Sequence, residues 1–351
     1  MTKGDKYTKE TLERIIENGC LDNNPRPHWA DGVKAHSYSV NNAAYFYSNE
    51  KGEIPLITLR PIATKNSIGE ILWIYRDQDS NVYNLEMKYG VRWWRSWVIN
   101  PYHYDKDGNL LNGENPYINE NFYYDRAGKI NSIPKSKEEK VIKSYTVDPK
   151  TDFDGENILD YATGNVLTKD ATIGQTYGSI IRDNKLMLKT FKELEKHSDS
   201  RRIIINMWQE EDFKKEHSLV PCAYQTQYFV RHGKDGFDYL DMNLYQRSSD
   251  FCTAGTINQM QYVFLQHILA KEFNYRVGDF AWFVGNIQIY DRHMDAAREL
   301  VNTDSIDCNP KIIIDKEVNW NNIMPENIHI EDYPKELIKK KNPQIKFEVA
   351  I

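Results

Sequence analysis

The spacing of hydrophobic and polar positions changes several times along the chain and predicts a mixture of helices and strands. Helical spacing recurs in four segments: 9–16, 67–77, 184–197 and 258–273. Alternating spacing, typical of strands, occurs within 36–60, 203–208, 224–231, 239–245 and 279–285. The tail, 301–351, has the composition of short strands and turns. Because strands and helices do not alternate regularly, we predict an α+β fold and not a doubly wound sheet.

Residues 99–170 differ in composition from the rest of the chain. They are rich in Asn, Asp, Lys, Tyr, Gly and Pro and show no sustained periodicity, and Asp107-Gly108 and Asn112-Gly113 are turn signals. A structureless stretch of this length is unusual inside a compact domain. We therefore predict one domain over residues 1–351, with a small polar subdomain of short hairpins inserted at 99–170.

Composition excludes several classes of protein. The chain has 351 residues, of which 40 % are hydrophobic and 27 % are charged. This composition excludes a collagen-like, a coiled-coil and a disordered protein. The net charge of −6 argues against a nucleic-acid partner. No segment reaches the ~18 apolar residues of a membrane span, and the first six residues lack the apolar core of a signal peptide. We predict a cytoplasmic protein with no membrane partner, whose four cysteines are reduced thiols.

Cys222 and Arg247 are the strongest candidates for chemistry. Cys222 lies between Pro221 and a predicted strand, where its thiol could act as a nucleophile; the alternative is a small buried hydrophobe. Arg247 and Ser248 follow another predicted strand. A guanidinium fork with a hydroxyl suits an oxyanion such as phosphate, and an arginine beside a cysteine favours the thiolate. The alternative is a solvated strand end.

Three further groups have both a functional and a structural interpretation. Arg201 and Arg202 are adjacent on a predicted strand, so they point to opposite faces, and one could reach across a dimer interface; the alternative is a pair of surface charges. Gln288 and Tyr290 share one face of a strand and could bind a sugar, or simply end the strand. Glu70 has a structural interpretation as the last residue of a capping box in which Ser67 caps the helix. Its functional interpretation depends on the resemblance described next.

Taken in chain order, these motifs resemble the thymidylate synthase family. The resemblance covers roughly residues 28–98 and 170–351 and implies a large mixed β-sheet flanked by helices, with one sheet face forming a dimer interface. The motifs that carry it are Glu70-Ile71-Leu72-Trp73, Trp94 to Trp97, Ile173 to Gly178, Asp199 to Arg202, Pro221-Cys222, Tyr245 to Asp250, Asn258, Gly285 to Tyr290 and Val349-Ala350-Ile351.

The resemblance implies that Cys222 attacks C6 of the uracil of dUMP, and that 5,10-methylenetetrahydrofolate, a reduced folate, supplies both carbon and reductant without a metal. The products would be dTMP and dihydrofolate. Implied catalytic residues are Cys222, Glu70, Tyr177 and Arg247. Implied dUMP contacts are Arg247, Ser248, Asp250, Asn258, Gln288 and Tyr290, with Arg201 and Arg202 shared across a homodimer. Implied folate contacts are Lys65, Trp94, Asp250 and Ile351, with the C-terminal tail closing over the folate.

The chain departs from the family pattern in four places. Ala223 replaces a histidine after Pro-Cys, and Gln288 replaces another histidine. Arg95-Ser96 replaces Asp-Glu between two tryptophans. Residues 29–34 replace an Arg-Thr-Gly phosphate loop, for which Lys34 or Arg26 could substitute. Two alternatives stay open: a pyrimidine-nucleotide hydroxymethylase of the same family, and a nucleotide- or RNA-binding regulator without catalysis.

Overall fold

The computed structural model describes residues 1–99, 171–197 and 199–350, together with short strands between residues 102 and 167. In this part of the chain the helices are α1 Lys3–Asn18, α2 Thr64–Tyr75, α3 Val82–Tyr89, α4 Gly178–Asp183, α5 Leu186–Leu194, α6 Thr256–Glu272, α7 Met294–Asn302 and α8 Lys335–Lys341. The strands are β1 Cys20–Leu21, β2 Ser37–Ser48, β3 Tyr102–Tyr104, β4 Leu110–Asn112, β5 Tyr123–Tyr124, β6 Ile130–Asn131, β7 Ile158–Leu159, β8 Val166–Leu167, β9 Ile203–Asn206, β10 Ala223–His232, β11 Asp238–Asp250, β12 Arg276–Tyr290, β13 Lys311–Ile314 and β14 Ile328–Glu331.

A six-stranded mixed sheet organises the larger part of the described chain. Its strand order is β1-β2-β12-β11-β10-β9, in which β11 and β12 run parallel and the other neighbours run antiparallel. The predicted α+β class and the large mixed sheet with flanking helices are therefore confirmed. The strand prediction for 36–60 was too long, because β2 ends at Ser48 and Gly52 turns the chain with a left-handed φ of 72°.

Helix α6 lies against one face of this sheet, with α2 packed against it. Buried residues, polar ones among them, occur around most of its circumference because neighbours cover it on several sides. Phe264, Leu265 and Leu269 are fully buried there, and the burial of each such side chain stabilises the fold by about 1.5–3 kcal/mol. The core therefore holds α6 rigidly, together with the polar side chains at its N-terminal end.

The opposite face of the sheet carries aromatic side chains. Phe46 on β2 is 54 % exposed and meets Phe283 on β12 edge to face at 5.8 Å. Phe283 in turn stacks on Tyr245 of β11 at 5.2 Å. An apolar patch that crosses three strands is a feature of interaction surfaces.

Contacts divide the chain into two compact units. The first comprises Met1–Arg76, Ile181–Trp208 and Pro221–Ile351, and the second comprises Asp77–Ile180 and Gln209–Val220. In the second unit, Asn81 caps α3 and Glu86 is buried against Arg92 and Arg95. This unit also contains a sheet of order β4-β3-β8-β7 and the hairpin β5-β6. The predicted insertion falls within the second unit and largely outside the described residues, so the single-domain organisation stays a prediction.

Some predicted helix boundaries and turns were wrong for identifiable reasons. Helix α2 begins at Thr64, so Ser67 lies inside the helix, where its hydroxyl donates to the Ala63 carbonyl at 3.0 Å and caps nothing. The capping-box explanation of Glu70 therefore fails. The tail, predicted as short strands and turns, contains the strands β13 and β14 but also the helix α8. That helix buries only Ile338, which is too little periodicity for a sequence pattern to reveal.

None of the helices in the described part of the chain combines the length and the apolar composition needed to cross a bilayer. The cytoplasmic location stays a prediction.

Candidate active site

Three strand ends meet at one edge of the large sheet. Because β10 runs antiparallel to β11 and β11 runs parallel to β12, the start of β10 coincides with the ends of the other two. The register pairs Ala223 with Gln246 and Asp250 with Gln288. Gly285 allows a close approach, since a Cβ there would lie 3.0 Å from the Arg247 carbonyl oxygen. The topology thus brings together motifs that are far apart in the sequence.

Cys222 and Arg247 are in direct contact at this edge. The Arg247 guanidinium donates from Nη2 to the Cys222 Sγ at 3.4 Å and from Nε to the Pro221 carbonyl at 3.1 Å. The Arg247 backbone N–H also donates to the Cys222 carbonyl at 2.9 Å. The register of β10 shifts between Ala223 and Gln225, a bulge of the kind that often aims a side chain beside a site. A cation so close to a half-buried thiol favours the thiolate.

Gln288 and Tyr290 lie on one face of β12, as the sequence predicted. The Gln288 amide donates to the Tyr290 hydroxyl at 3.5 Å, and the Ser248 hydroxyl donates to Gln288 Oε1 at the same distance. Burial raises the pKa of Tyr290 to about 12, helped by the nearby Asp250 and Cys222. The phenol therefore stays neutral and can both donate and accept a hydrogen bond.

A line of amides connects Glu70 on α2 with the sheet. Gln261 Nε2 donates to Glu70 Oε2 at 2.6 Å, and Asn258 Nδ2 donates to Gln261 Oε1 at 3.0 Å. Gln246 Nε2 donates to Asn258 Oδ1 at 3.2 Å, and Trp282 Nε1 donates to Gln246 Oε1 at 3.0 Å. The sequence prediction included Glu70 and Asn258 but missed the other three. The spacing of Asn258 and Gln261 on one helix was the available signal.

Asp250 ends β11 and begins the turn that leads into α6. Its carboxylate accepts from the Thr253 hydroxyl at 2.5 Å. Burial raises the pKa of Asp250, although Thr253 and His293 partly oppose the shift.

Close by, the buried Arg60 donates to the Cys252 carbonyl at 2.9 Å and lies 5.3 Å from the ring of Phe347. Arg60 is a further residue that the sequence prediction missed.

The C-terminal segment is held by Arg292, which follows β12. The Arg292 guanidinium donates to Glu348 at 3.2 Å and to Asp31 at 2.7 Å, and it lies 4.9 Å from the ring of Trp29. The Ala30 N–H also donates to Glu348 at 3.3 Å. Residues 29–34, which replace the family's phosphate loop, therefore contact the tail. Lys34 donates to Asn24, and both it and Arg26 are exposed.

Some predicted site residues lie away from this edge. Arg201 and Arg202 lie in an exposed turn before β9 and not on a strand, which corrects the prediction of opposite strand faces. Their neighbour Ile203 pairs with Tyr228, six residues beyond Cys222, which is roughly 20 Å along β10. On α2, Lys65 pairs with Glu326 at 3.4 Å. Ile351 lies outside the described residues.

Trp94 and Tyr177 belong to the second unit. Their rings meet edge to face at 5.5 Å, and both are buried. Tyr177 adopts a left-handed φ of 47°, a strained backbone conformation that often accompanies function.

Arg95, one of the departures from the family pattern, donates to the buried Glu86 from Nε at 2.8 Å and from Nη2 at 2.5 Å. This pairing explains why an arginine is accommodated there.

Comparisons with known proteins all lead to one family. The family model described as "Thymidylate synthase" matches residues 5–351. A thymidylate synthase of Lactococcus lactis subsp. lactis is 35 % identical over 353 residues, covering all of both chains. One from Streptococcus pneumoniae is 33 % identical, again over both full lengths. The solved thermostable thymidylate synthase A from Bacillus subtilis has a TM-score of 0.70 at 23 % identity, covering 99 % of each chain, and supports the fold.

Proposed function

Because the chain belongs to the thymidylate synthase family and has thymidylate synthase activity, which is a methyl transfer, we propose that it methylates dUMP reductively with 5,10-methylenetetrahydrofolate. In this proposal Cys222 is the nucleophile. The observation that carries this proposal is the contact between the Cys222 thiol and the Arg247 guanidinium at 3.4 Å. A thiolate held at a strand end can add to an electron-poor ring carbon.

The proposed steps on dUMP follow from the residues at this edge. Attack of the Cys222 sulfur on C6 forms a C–S bond and moves electron density through C5 to O4. The Asn258 amide would stabilise O4 by donation and accept from N3–H. C5 becomes nucleophilic, and Glu70 would organise the water and proton transfers that later remove its hydrogen. When bound, the folate would supply the carbon and the hydride that complete the methyl group, and cleavage of the C–S bond would then restore the C5–C6 double bond and free the Cys222 thiolate.

The phosphate and sugar of dUMP have candidate partners in the same region. Arg247 and Ser248 would bind the phosphate, and Gln288 and Tyr290 the deoxyribose hydroxyl. Arg201 and Arg202 lie roughly 20 Å along the sheet from Cys222 of their own chain, so we assign them to the site of a second subunit. The aromatic sheet face formed by Phe46, Phe283 and Tyr245 is the surface that we propose joins the homodimer.

Acidic and basic residues are both candidates for binding the folate. Asp250 fits the N–H groups of a pterin, since a half-buried carboxylate accepts strongly. We retain Trp94, Lys65 and Ile351 as folate contacts and Tyr177 as a catalytic residue, as the family resemblance implies. Arg60, buried beside Cys252 and the tail residue Phe347, is an additional candidate for organising the folate side of the site.

The stoichiometry of the products tests this function. We expect one dihydrofolate for each dTMP formed when the protein is incubated with dUMP and 5,10-methylenetetrahydrofolate. Absorbance reports the dihydrofolate and chromatography quantifies the nucleotide. The reason is that hydride from the folate must reduce the transferred carbon. Conversion of dUMP to a hydroxymethyl nucleotide without dihydrofolate would contradict the proposal and favour the hydroxymethylase alternative.

Replacement of Arg292 by alanine should weaken folate binding more than nucleotide binding. The variant loses the ion pair with Glu348 and the contact with Asp31, so the tail would dock less often. Such a half-exposed pair is worth up to about 1 kcal/mol, so we expect the KM for the folate to rise about fivefold. The KM for dUMP should change less than about twofold.

Arg298→Ala is the matched control for this change. Arg298 lies on α7 and pairs with Asp295 at 2.9 Å, within its own helix. Its replacement removes a similar surface ion pair without touching the tail. An equal rise in both KM values for Arg292→Ala would show that Arg292 does not act through the tail.

A further inference from the structure

Four side chains that carry hydroxyl groups come together in the core between β10, α2 and α6. Thr226 and Tyr228 share the buried face of β10, Tyr75 ends α2, and Tyr262 lies on α6. All four are at most 2 % exposed. The rings of Tyr75 and Tyr262 meet edge to face at 5.8 Å, and the Tyr75 hydroxyl donates to the Tyr262 oxygen at 3.3 Å. We call these four side chains the hydroxyl cluster.

The Thr226 hydroxyl faces two of the phenols. Burial raises the pKa of Tyr75 and of Tyr228 well above the ordinary value of a phenol, and the Thr226 hydroxyl opposes this rise in both. Tyr75 in turn contributes to the raised pKa of Tyr228. Thr226 and Tyr228 are two residues apart on one strand, so their side chains also project from the same side of the sheet. The polar ends of Thr226, Tyr228 and Tyr75 are therefore close to one another.

Two oxygens of the cluster nevertheless have no hydrogen-bond partner within the part of the chain that the structure describes. They are Thr226 Oγ1 and Tyr228 Oη, and both belong to fully buried side chains. Each hydroxyl has one hydrogen to donate and lone pairs that accept. A buried hydroxyl without a partner destabilises a fold, and folded proteins nearly always supply one. Two such hydroxyls side by side indicate a shared partner that is not part of the chain.

We propose that the hydroxyl cluster is a buried water-binding site, in which one water accepts from Thr226 and Tyr228 and donates to the Tyr75 oxygen. The hydrogen of the Tyr75 hydroxyl is already engaged by Tyr262, so the Tyr75 oxygen is left to accept. Water fits because it accepts two hydrogen bonds and donates two, whereas a metal cation cannot accept from a hydroxyl. Three protein partners are typical of a water inside a folded protein.

The site links segments that carry proposed catalytic residues. Thr226 follows Cys222 on one segment, and Tyr75 follows Glu70 on another. Tyr262 completes the cluster from α6, the helix that also carries the uracil-reading amide. The link to catalysis rests on the proposed function, but the water site does not depend on it.

The sign of the change in melting temperature tests the site. Thr226→Val and Tyr228→Phe each remove one hydroxyl with little change of shape. If a water joins the hydroxyls, each change leaves that water one partner short, and we expect Tm to fall by about 2–4 °C. If the hydroxyls have no partner, the same changes remove a buried polar group that costs stability, so Tm should rise. Calorimetry at one protein concentration and one scan rate measures the shift, and an unchanged or higher Tm in either variant overturns the proposal.

Thr190→Val is the matched control. Thr190 is 2 % exposed and its hydroxyl also lacks a partner in the described residues, but it lies on α5 and outside the cluster. Its replacement removes a buried hydroxyl that no cluster surrounds, so Tm should stay the same or rise. A fall in Tm equal to that of Thr226→Val would count against a site specific to the cluster.

A high-resolution crystal structure of the full chain tests the site directly. We expect an isolated electron-density peak within about 2.7–3.1 Å of both Thr226 Oγ1 and Tyr228 Oη, and its loss in the Thr226→Val/Tyr228→Phe double variant. Direct hydrogen bonds from Thr226 and Tyr228 to neighbouring side chains, without such a peak, would overturn the proposal. Neither measurement uses turnover, so a failure of the water site and a failure of the proposed function are distinguishable.

Discussion

Replacement of Cys222 by serine should lower kcat by at least roughly 10⁴-fold, because the side chain that forms the bond to C6 is lost. A serine hydroxyl has a similar size but is almost entirely protonated near neutral pH, and the Arg247 guanidinium cannot ionise it as it can a thiol. The variant should still bind dUMP, since the proposed phosphate and uracil contacts are unchanged. Steady-state turnover and calorimetry measure the two properties separately.

Cys20→Ser and Cys308→Ser are suitable controls for this substitution. Cys20 is exposed on the short strand β1 and Cys308 is half-buried, and the family resemblance assigns neither a role in the site. Both variants should turn over at the wild-type rate. Normal activity in Cys222→Ser would show that another group forms the covalent bond.

Mixing two inactive variants should restore activity if the sites are shared between subunits. Cys222→Ala and Arg201→Ala each damage a different part of a site, so a heterodimer contains one site with both residues intact. Random exchange makes half of the dimers heterodimers, each with one of two sites intact. We therefore expect about a quarter of wild-type activity, assayed after denaturation and joint refolding.

The control for the mixing experiment places both changes in one chain. When Cys222→Ala is mixed with Cys222→Ala/Arg201→Ala, no dimer has an intact cysteine, so activity should stay at background. Recovery there would indicate contamination. A failure of the first mixture to recover, with dimers demonstrated by sedimentation, would mean that Arg201 does not serve the partner's site.

The sequence predicted the central part of the candidate site because its residues lie at strand ends. The motifs around Cys222, Arg247 and Tyr290 end or begin strands, and the mixed topology brings those ends together. Periodicity sufficed to place the strands, and the resemblance supplied the roles. The same reasoning located Asn258 and Glu70 on helices.

The remaining parts depend on tertiary packing that spacing does not encode. Gln246 meets Trp282 and Asn258 only through the pairing of β11 with β12 and the packing of α6. Arg60 meets the tail across almost the whole length of the chain. Arg201 was misplaced because the polar turn precedes an apolar strand without a break in the pattern. The contact of Arg292 with Glu348 also joins segments whose proximity no local signal reveals.

Mass spectrometry of the protein quenched during turnover tests the central claim that Cys222 bonds to the pyrimidine. The wild-type protein is mixed with dUMP and 5,10-methylenetetrahydrofolate, denatured rapidly, digested and analysed. We expect a fraction of the Cys222 peptide to be heavier by the mass of a nucleotide adduct, and no such species in Cys222→Ser. Steady formation of dTMP with the adduct on a different residue would contradict it.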